Sequence, residues 1–181
     1  RNMFSDPVSG QPTEAFFAFI AGQQKYMPAI TALLAPYVNS YRRLSRGSGA
    51  PVNTQWGYDN RTAGLRVPPA DADNRRLENR IPSSDANPYL AIAAVLASGY
   101  LGMIERLRPT DPVEKDASTL PQGDLPYSLV QAVIKLERAE ALVDILGPQF
   151  VTAYSRVKLH EYETFMRTIS PWEREFLLMN V

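Results

Sequence analysis

The stretch Arg75-Arg76-Leu77-Glu78-Asn79-Arg80-Ile81-Pro82 constrains the chain more than any other, because charge recurs along it at every second residue. In an extended backbone, residues two apart share a face and lie roughly 6.5–7 Å apart. Arg76, Glu78 and Arg80 therefore face one way, and Leu77, Asn79 and Ile81 the other. The segment reads as a strand, and Pro82, which has no N–H to give a ladder, ends it. A carboxylate between two guanidiniums stays ionised, and the guanidiniums keep planar donor forks suited to carboxylate or phosphate. Two readings stand at this point. One is a face that holds an anionic substrate beside a divalent metal. The other is a solvated edge strand whose charges neutralise one another.

Composition narrows the partners. At 181 residues the chain is long enough for one good core, so residues 1–181 read as one folded unit. Its formal net charge is zero, with no basic run interleaved with aromatics, which removes the footprint of a nucleic-acid binder. There are no cysteines, which excludes disulfides and thiolate metal sites and is compatible with the cytoplasm. The single histidine, His160, sits among Lys158, Glu161 and Glu163 in a predicted surface helix and reads as structural. The opening Arg-Asn-Met-Phe-Ser-Asp resembles neither a signal peptide nor a helix start, and without an initiator methionine the chain reads as part of something longer. Pro88 to Ile104 is uncharged for 17 residues, at the short limit for spanning a bilayer. Its alanines and glycines, and the Glu105-Arg106-Leu107-Arg108 that follows, predict a buried core helix instead.

The fold class predicted is α+β, a small antiparallel sheet followed by a mostly helical C-terminal half. Thr13 to Leu34 carries apolar residues at helical spacing and reads as a helix interrupted near Pro28. Asn39-Ser40 caps a short turn, and Ser45 to Pro51 is a flexible loop without a P-loop pattern. Val52–Gly57 and Gly64–Pro68 read as strands joined most simply as a hairpin. Asn87 and Pro88 open a helix running through Leu107. Residues 109–126, with four prolines, predict a mobile or extended loop. Ser128 and Gln131 form a capping box for a helix that stops before Gly147-Pro148. A further helix follows from Gln149 to about Ile169, and Ser170-Pro171-Trp172-Glu173 caps the last.

Eight of the 15 arginines fall between Arg42 and Arg80: Arg42, Arg43, Arg46, Arg61, Arg66, Arg75, Arg76 and Arg80. The same window holds four acids and no lysine, and this preference for rigid forks marks carboxylate or phosphate recognition. Solvated strand ends remain the plainer account. If the guanidiniums converge, they can neutralise a polyphosphate and a developing phosphoryl transition state, with a metal on Glu78. One carboxylate cannot hold a catalytic Mg²⁺ or Mn²⁺ alone, so further ligands are expected outside these residues or on another subunit.

Val38-Asn39-Ser40-Tyr41-Arg42-Arg43-Leu44, Ala50-Pro51-Val52, Asn60 to Pro68, Arg75 to Pro82 and Ala86-Asn87-Pro88-Tyr89-Leu90 follow one another along the chain. Together these ordered motifs resemble the C-terminal part of a glutamine synthetase-type catalytic domain. The resemblance implies an ATP-dependent ligase that phosphorylates the glutamate side chain and lets ammonia or an amine displace phosphate. It assigns Arg43 and Arg80 to the glutamate carboxylate, Arg61 to the transferring phosphoryl, Arg66 and Arg76 to nucleotide phosphates, and Glu78 to Mg²⁺ or Mn²⁺. It also implies a homo-oligomer with active sites between subunits, and metal ligands upstream of Arg1, so that the chain alone is inactive. Ammonia-using members carry Tyr-Glu-Ala-Pro where this sequence has Ser48-Gly49-Ala50-Pro51. Loss of that carboxylate opens room for a larger amine, and the sequence is most similar to γ-glutamylpolyamine or γ-glutamylputrescine synthetases. Glutamine synthetase proper, and a non-catalytic relative that only binds or builds an oligomer, are the alternatives.

Overall fold

The computed structural model describes residues 2–45, 47–120 and 125–180, so Arg46 of the arginine window lies outside the described residues. Helix α1 (Glu14–Leu34) is the axis of the core: Ile20, Met27, Ile30, Leu33 and Leu34 are at most 1% exposed. Thr13 caps it by accepting from the Phe16 N–H. The predicted interruption at Pro28 does not occur. Proline removes one helical hydrogen bond but keeps a helix-compatible φ, and the turn around it is buried through Met27, Ala29 and Ile30.

Helix α3 (Pro88–Ile104), capped by the Asn87 side chain, packs along α1. The axes come close because glycines face each other: a Cβ on Gly22 would overlap the backbone of Ser98 and Gly102, and one on Gly102 would overlap Ala18 and Gly22. The expectation of a buried helix is half right. Ala94, Ala97, Ser98 and Leu101 are buried, whereas Tyr89, Ile92, Leu96, Tyr100 and Ile104 form an exposed stripe at helical spacing. Helix α4 (Leu129–Glu137) packs on the other side of α1. The single helix predicted before Gly147 breaks at Arg138-Ala139, and α5 (Glu140–Leu146) follows. Helix α6 (Pro148–Met166) lies on α4 and α5, and α7 (Pro171–Phe176) starts with the predicted Ser170/Glu173 capping box. No helix among the described residues is long and apolar enough to cross a membrane.

The sheet is mixed, which corrects the antiparallel expectation. Strand β1 (Trp56–Tyr58) runs parallel to β2 (Leu65–Val67), with Trp56 beside Leu65, and only β2 and β3 (Glu78–Asn79) pair antiparallel. Side-chain amides replace the tight hairpin turn. Asp59 sits in the left-handed region at φ 47 and its N–H donates to Val67 O, which turns the chain back after β1. Asn53 accepts from Gly64 N–H and donates to Thr62 O, fixing where β2 begins. The loop after Arg108 is also more fastened than predicted. Val113 N–H donates to Trp56 O, Asn60 Nδ2 donates to Val113 O and Lys115 O, and Ala117–Thr119 forms a 3-10 turn.

Candidate active site

Strands β2 and β3 and the short helix α2 (Ser40–Arg43) bring part of the arginine set to one carboxylate. Arg66 stands directly opposite Glu78 in the antiparallel ladder, so the two side chains share a face. Arg66 Nη1 donates to Glu78 Oε2 at 2.7 Å, while its Nη2 and Nε reach Asp59 Oδ1 at 2.5 and 3.1 Å. The cationic form of Arg66 is reinforced first by Asp59 and then by Glu78. Arg80 lies two residues beyond Glu78 and brings Nε to 3.4 Å from Glu78 Oε1. Both oxygens of Glu78 thus carry a guanidinium, and the alternation expected of residues 78–80 holds.

Arg43 meets this group through the backbone. Its Nη1 donates to Ile81 O at 2.9 Å and its Nη2 to Arg80 O at 3.1 Å, tying α2 to the end of β3. Asn39 makes no side-chain cap on α2. Ser40 stabilises that turn instead, accepting from Tyr37 N–H and donating to Asp85. Arg80 Nη1 is buried and has no hydrogen-bond partner among the described residues. An unpaired buried donor costs roughly 1–3 kcal/mol, more when charged, unless something arrives to accept from it.

Arg61 and Arg76 are not drawn into the cluster. Arg61 is exposed, on a loop whose backbone is pinned on both sides: Asn60 Oδ1 accepts from Thr62, and Thr62 Oγ1 accepts from Ala117 N–H. Its own side chain makes no hydrogen bond or ion pair among the described residues. Arg76 is exposed, with one 3.3 Å bond to Asn74 O. Arg75 turns away from the charged face, into the N-terminal turn. Two clefts, of about 980 and 440 Å³, are lined by other residues than the charged face.

Two carboxylates meet at Arg66, Glu78, whose side chain is 42% exposed, and Asp59, and both are paired with a guanidinium. Among the described residues no group of three or more His, Asp or Glu side chains is arranged to hold a metal. The described residues therefore do not complete a site of the kind Mg²⁺ or Mn²⁺ requires. His160 is exposed on α6 and belongs to no such group.

Three residues that matter to the geometry escaped the sequence reading. Asp59 lies between the two strands expected to form a hairpin, and it holds two donors of Arg66. Asn79 was a back-face residue, yet its Nδ2 donates to the buried Gln23 Oε1 and its Oδ1 accepts from Ile81 N–H, which keys β3 to α1. Asn53 was only part of a strand. Each has a short polar side chain beside a turn or strand end, the kind of residue that bonds nearby backbone, and that is the signal available for them.

Residues 1–177 match the glutamine synthetase catalytic domain. The chain is 37% identical over 182 residues to gamma-glutamylputrescine synthetase PuuA of Escherichia coli, covering 99% of this chain and 38% of that protein. It is 36% identical to a glutamine synthetase of Halobacterium salinarum (90% of this chain, 38% of that one), and 36% identical to gamma-glutamylethanolamide synthetase GlnA4 of Streptomyces coelicolor (96% and 37%). A solved GmaS/ADP complex superposes with a TM-score of 0.86 at 31% identity, over 98% of this chain and 43% of that one. The chain thus spans about two fifths of the length of the relatives it matches. A matching catalytic-domain profile over nearly the whole sequence, with the fold superposed at that score, places the chain in the glutamine synthetase family.

Proposed function

We propose that the chain is the C-terminal part of the catalytic domain of an ATP-dependent ligase that joins the γ-carboxylate of glutamate to an amine. In this reaction a γ-carboxylate oxygen attacks the γ-phosphorus of ATP, the bond to the ADP oxygen breaks, and an acyl phosphate forms. The amine nitrogen then attacks the acyl carbon, the C–O bond to phosphate breaks, and the nitrogen gives up a proton as the amide forms. Arg80 and Arg43 grip the glutamate carboxylate, Arg61 stabilises the transferring phosphoryl, and Arg66 and Arg76 contact nucleotide phosphates. Glu78 is one ligand of Mg²⁺ or Mn²⁺, which neutralises phosphate charge when bound; the remaining ligands come from outside this chain. To take that role Glu78 must exchange at least one of its two guanidinium partners.

The observation that carries the reading is the buried, unpaired Arg80 Nη1 beside a doubly paired Glu78, a donor still needing an anion. A polyamine-type acceptor is favoured over ammonia by the loop at Gly49, where φ is +79 and a Cβ would meet nothing within 4 Å. At Gly49 the loop carries no side chain, which leaves room for an alkylamine and offers no carboxylate to an ammonium ion. The named relatives include both an amine ligase and a glutamine synthetase. The reading also takes the protein to be a cytoplasmic homo-oligomer. Phosphate release by the intact protein, with ATP, glutamate and either putrescine, ethanolamine or ammonia, tests it. Turnover with an alkylamine above that with ammonia is expected; preference for ammonia returns the chain to glutamine synthetase proper, and no turnover with any acceptor ends the ligase reading.

A further inference from the structure

The ligase reading leaves Arg42, Arg46 and Arg75 of the window without a task, and among these Arg75 is fixed by three hydrogen bonds from its guanidinium. Its guanidinium donates to Ser5 Oγ at 2.6 Å, Gly10 O at 3.0 Å and Phe4 O at 3.3 Å. All three acceptors are neutral and belong to the N-terminal turn, residues 2–12. The turn answers with bonds of its own. Asn2 Nδ2 donates to Arg75 O at 2.7 Å, Asp73 O at 3.2 Å and Ala72 O at 3.3 Å, and Ser5 Oγ donates to Ala72 O at 2.6 Å. Ser5, 7% exposed, accepts from Arg75 while it donates to Ala72, so its hydroxyl links the two halves.

The turn is itself fixed to the core. Phe4 packs on Phe16 and Phe19 of α1 with ring centroids 5.1 and 5.2 Å apart. Thr13, the cap of α1, accepts from Phe16 N–H and donates to Met3 O at 2.9 Å. The loop that leads into β3 is thereby bolted to the start of the longest core helix. Arg76 has no such anchor: it is exposed, and its side chain makes only the 3.3 Å bond to Asn74 O. Consecutive residues in an extended segment point to opposite sides. Holding Arg75 against the N-terminal turn leaves Arg76 exposed, two residues before Glu78.

We infer that Arg75, with Asn2 and Ser5, is a positioning residue that sets the direction of Arg76 and hence the grip on nucleotide phosphates. The inference rests on the ligase reading for the task of Arg76. The guanidinium plane is what reaches three acceptors at once, which the point charge of lysine does not reproduce.

The test uses the intact protein with Arg75→Lys and Asn2→Ala, neither of which touches substrate. ATP and ADP affinity is read by calorimetry, and KM for ATP and for glutamate is read separately. Both variants are expected to weaken nucleotide binding about tenfold, the low end of what loss of a supporting contact costs. KM for glutamate, and kcat at saturating ATP, stay unchanged. Val151→Ala, on α6 away from this loop, serves as the control: it lowers the unfolding midpoint and leaves nucleotide affinity alone. Unchanged nucleotide affinity in both loop variants overturns the inference and spares the ligase reading. Equal loss of glutamate affinity, or the same nucleotide loss in Val151→Ala, marks general loosening and also overturns it. Absence of ATP binding by the unaltered protein sinks the ligase reading, and this inference with it.

Discussion

The α1–α3 contact and the charged face of β2 and β3 are built on opposite principles. Along α1 and α3, closeness comes from what is missing: Gly22 and Gly102 leave no room for a Cβ, and the residues around them are buried. On the charged face, closeness comes from reach. Side chains on, or one residue beyond, strands of two and three residues meet at 2.5–3.4 Å across partly exposed surface. A region limited by shape fails by unfolding, because packed interiors do not absorb volume. A region limited by charge loses function first, because exposed ion pairs contribute little to stability.

Arg61→Ala is the hardest push on this contrast. The Arg61 loop is held by the amides and hydroxyls of Asn53, Asn60 and Thr62, not by the guanidinium. Stability is therefore expected to move by less than about 0.5 kcal/mol. Turnover should fall roughly 10³–10⁵-fold if the guanidinium stabilises phosphoryl transfer. Thermal unfolding together with steady-state rates decides it, and a loss of stability matching the loss of rate would erase the contrast.

Gly102→Val pushes from the other side. The added carbons overlap backbone of α1, not a flexible side chain, so the helices must separate. A cost of about 3 kcal/mol or more is expected in denaturant unfolding. Activity per folded molecule should hold. If rate fell without loss of stability, the helical half would be acting on the site directly.

The same contrast governs how much the sequence revealed. Helix starts were legible because caps are local: Asn87 with Pro88, Ser128, and Ser170 with Glu173 each bond backbone within three or four residues. The pairing of Glu78 with Arg80 was legible because a strand alternates. Arg75 was not, since its acceptors lie 65–71 residues away and nothing local distinguishes it from Arg76. The parallel pairing of β1 and β2 was hidden for a similar reason: it depends on Asn53 holding Gly64 and Thr62 across the loop, and Asn53 reads like any strand-edge polar residue. Pro28 and the Arg138-Ala139 break went the other way. In both, local propensity pointed to one outcome and the tertiary surroundings set another.

Ser128→Ala gives a smaller, purely local effect. Ser128 Oγ accepts from Gln131 N–H, and Gln131 Oε1 accepts from Tyr127 N–H rather than from the cap residue itself, so the predicted box closes one residue early. Loss of the hydroxyl is expected to cost about 1 kcal/mol. Kinetic constants should not change, because α4 packs on α1, α5 and α6 and supplies none of the paired side chains of the charged face. A shift in KM would tie the two regions together.

The smallest effect separates an ion pair that supports the helical half from those of the charged face. Lys25 on α1 bonds Glu105, the C-cap of α3, at 2.5 Å, and Tyr26 donates its hydroxyl to the same carboxylate. Glu105 is held below the ordinary carboxylate range, first by Lys25 and then by Tyr26. A carboxyl with a depressed folded-state pKa adds stability that is fully present above its unfolded value and is lost as pH falls through the folded one. Lys25 is raised, chiefly by Glu105, so its share is present below its unfolded value and fades only in strongly alkaline solution. The pair is therefore constant through neutral pH and is lost in acid below about pH 4. Lys25 is half exposed, so solvent screening keeps the effect under about 1 kcal/mol. Glu105→Gln should lower the unfolding midpoint slightly at neutral pH, and the gap to the unaltered protein should close as pH falls below about 4. A gap that stayed constant into acid would mean that Glu105 acts by packing or capping alone, like the glycines of the same helix pair, and not through its charge.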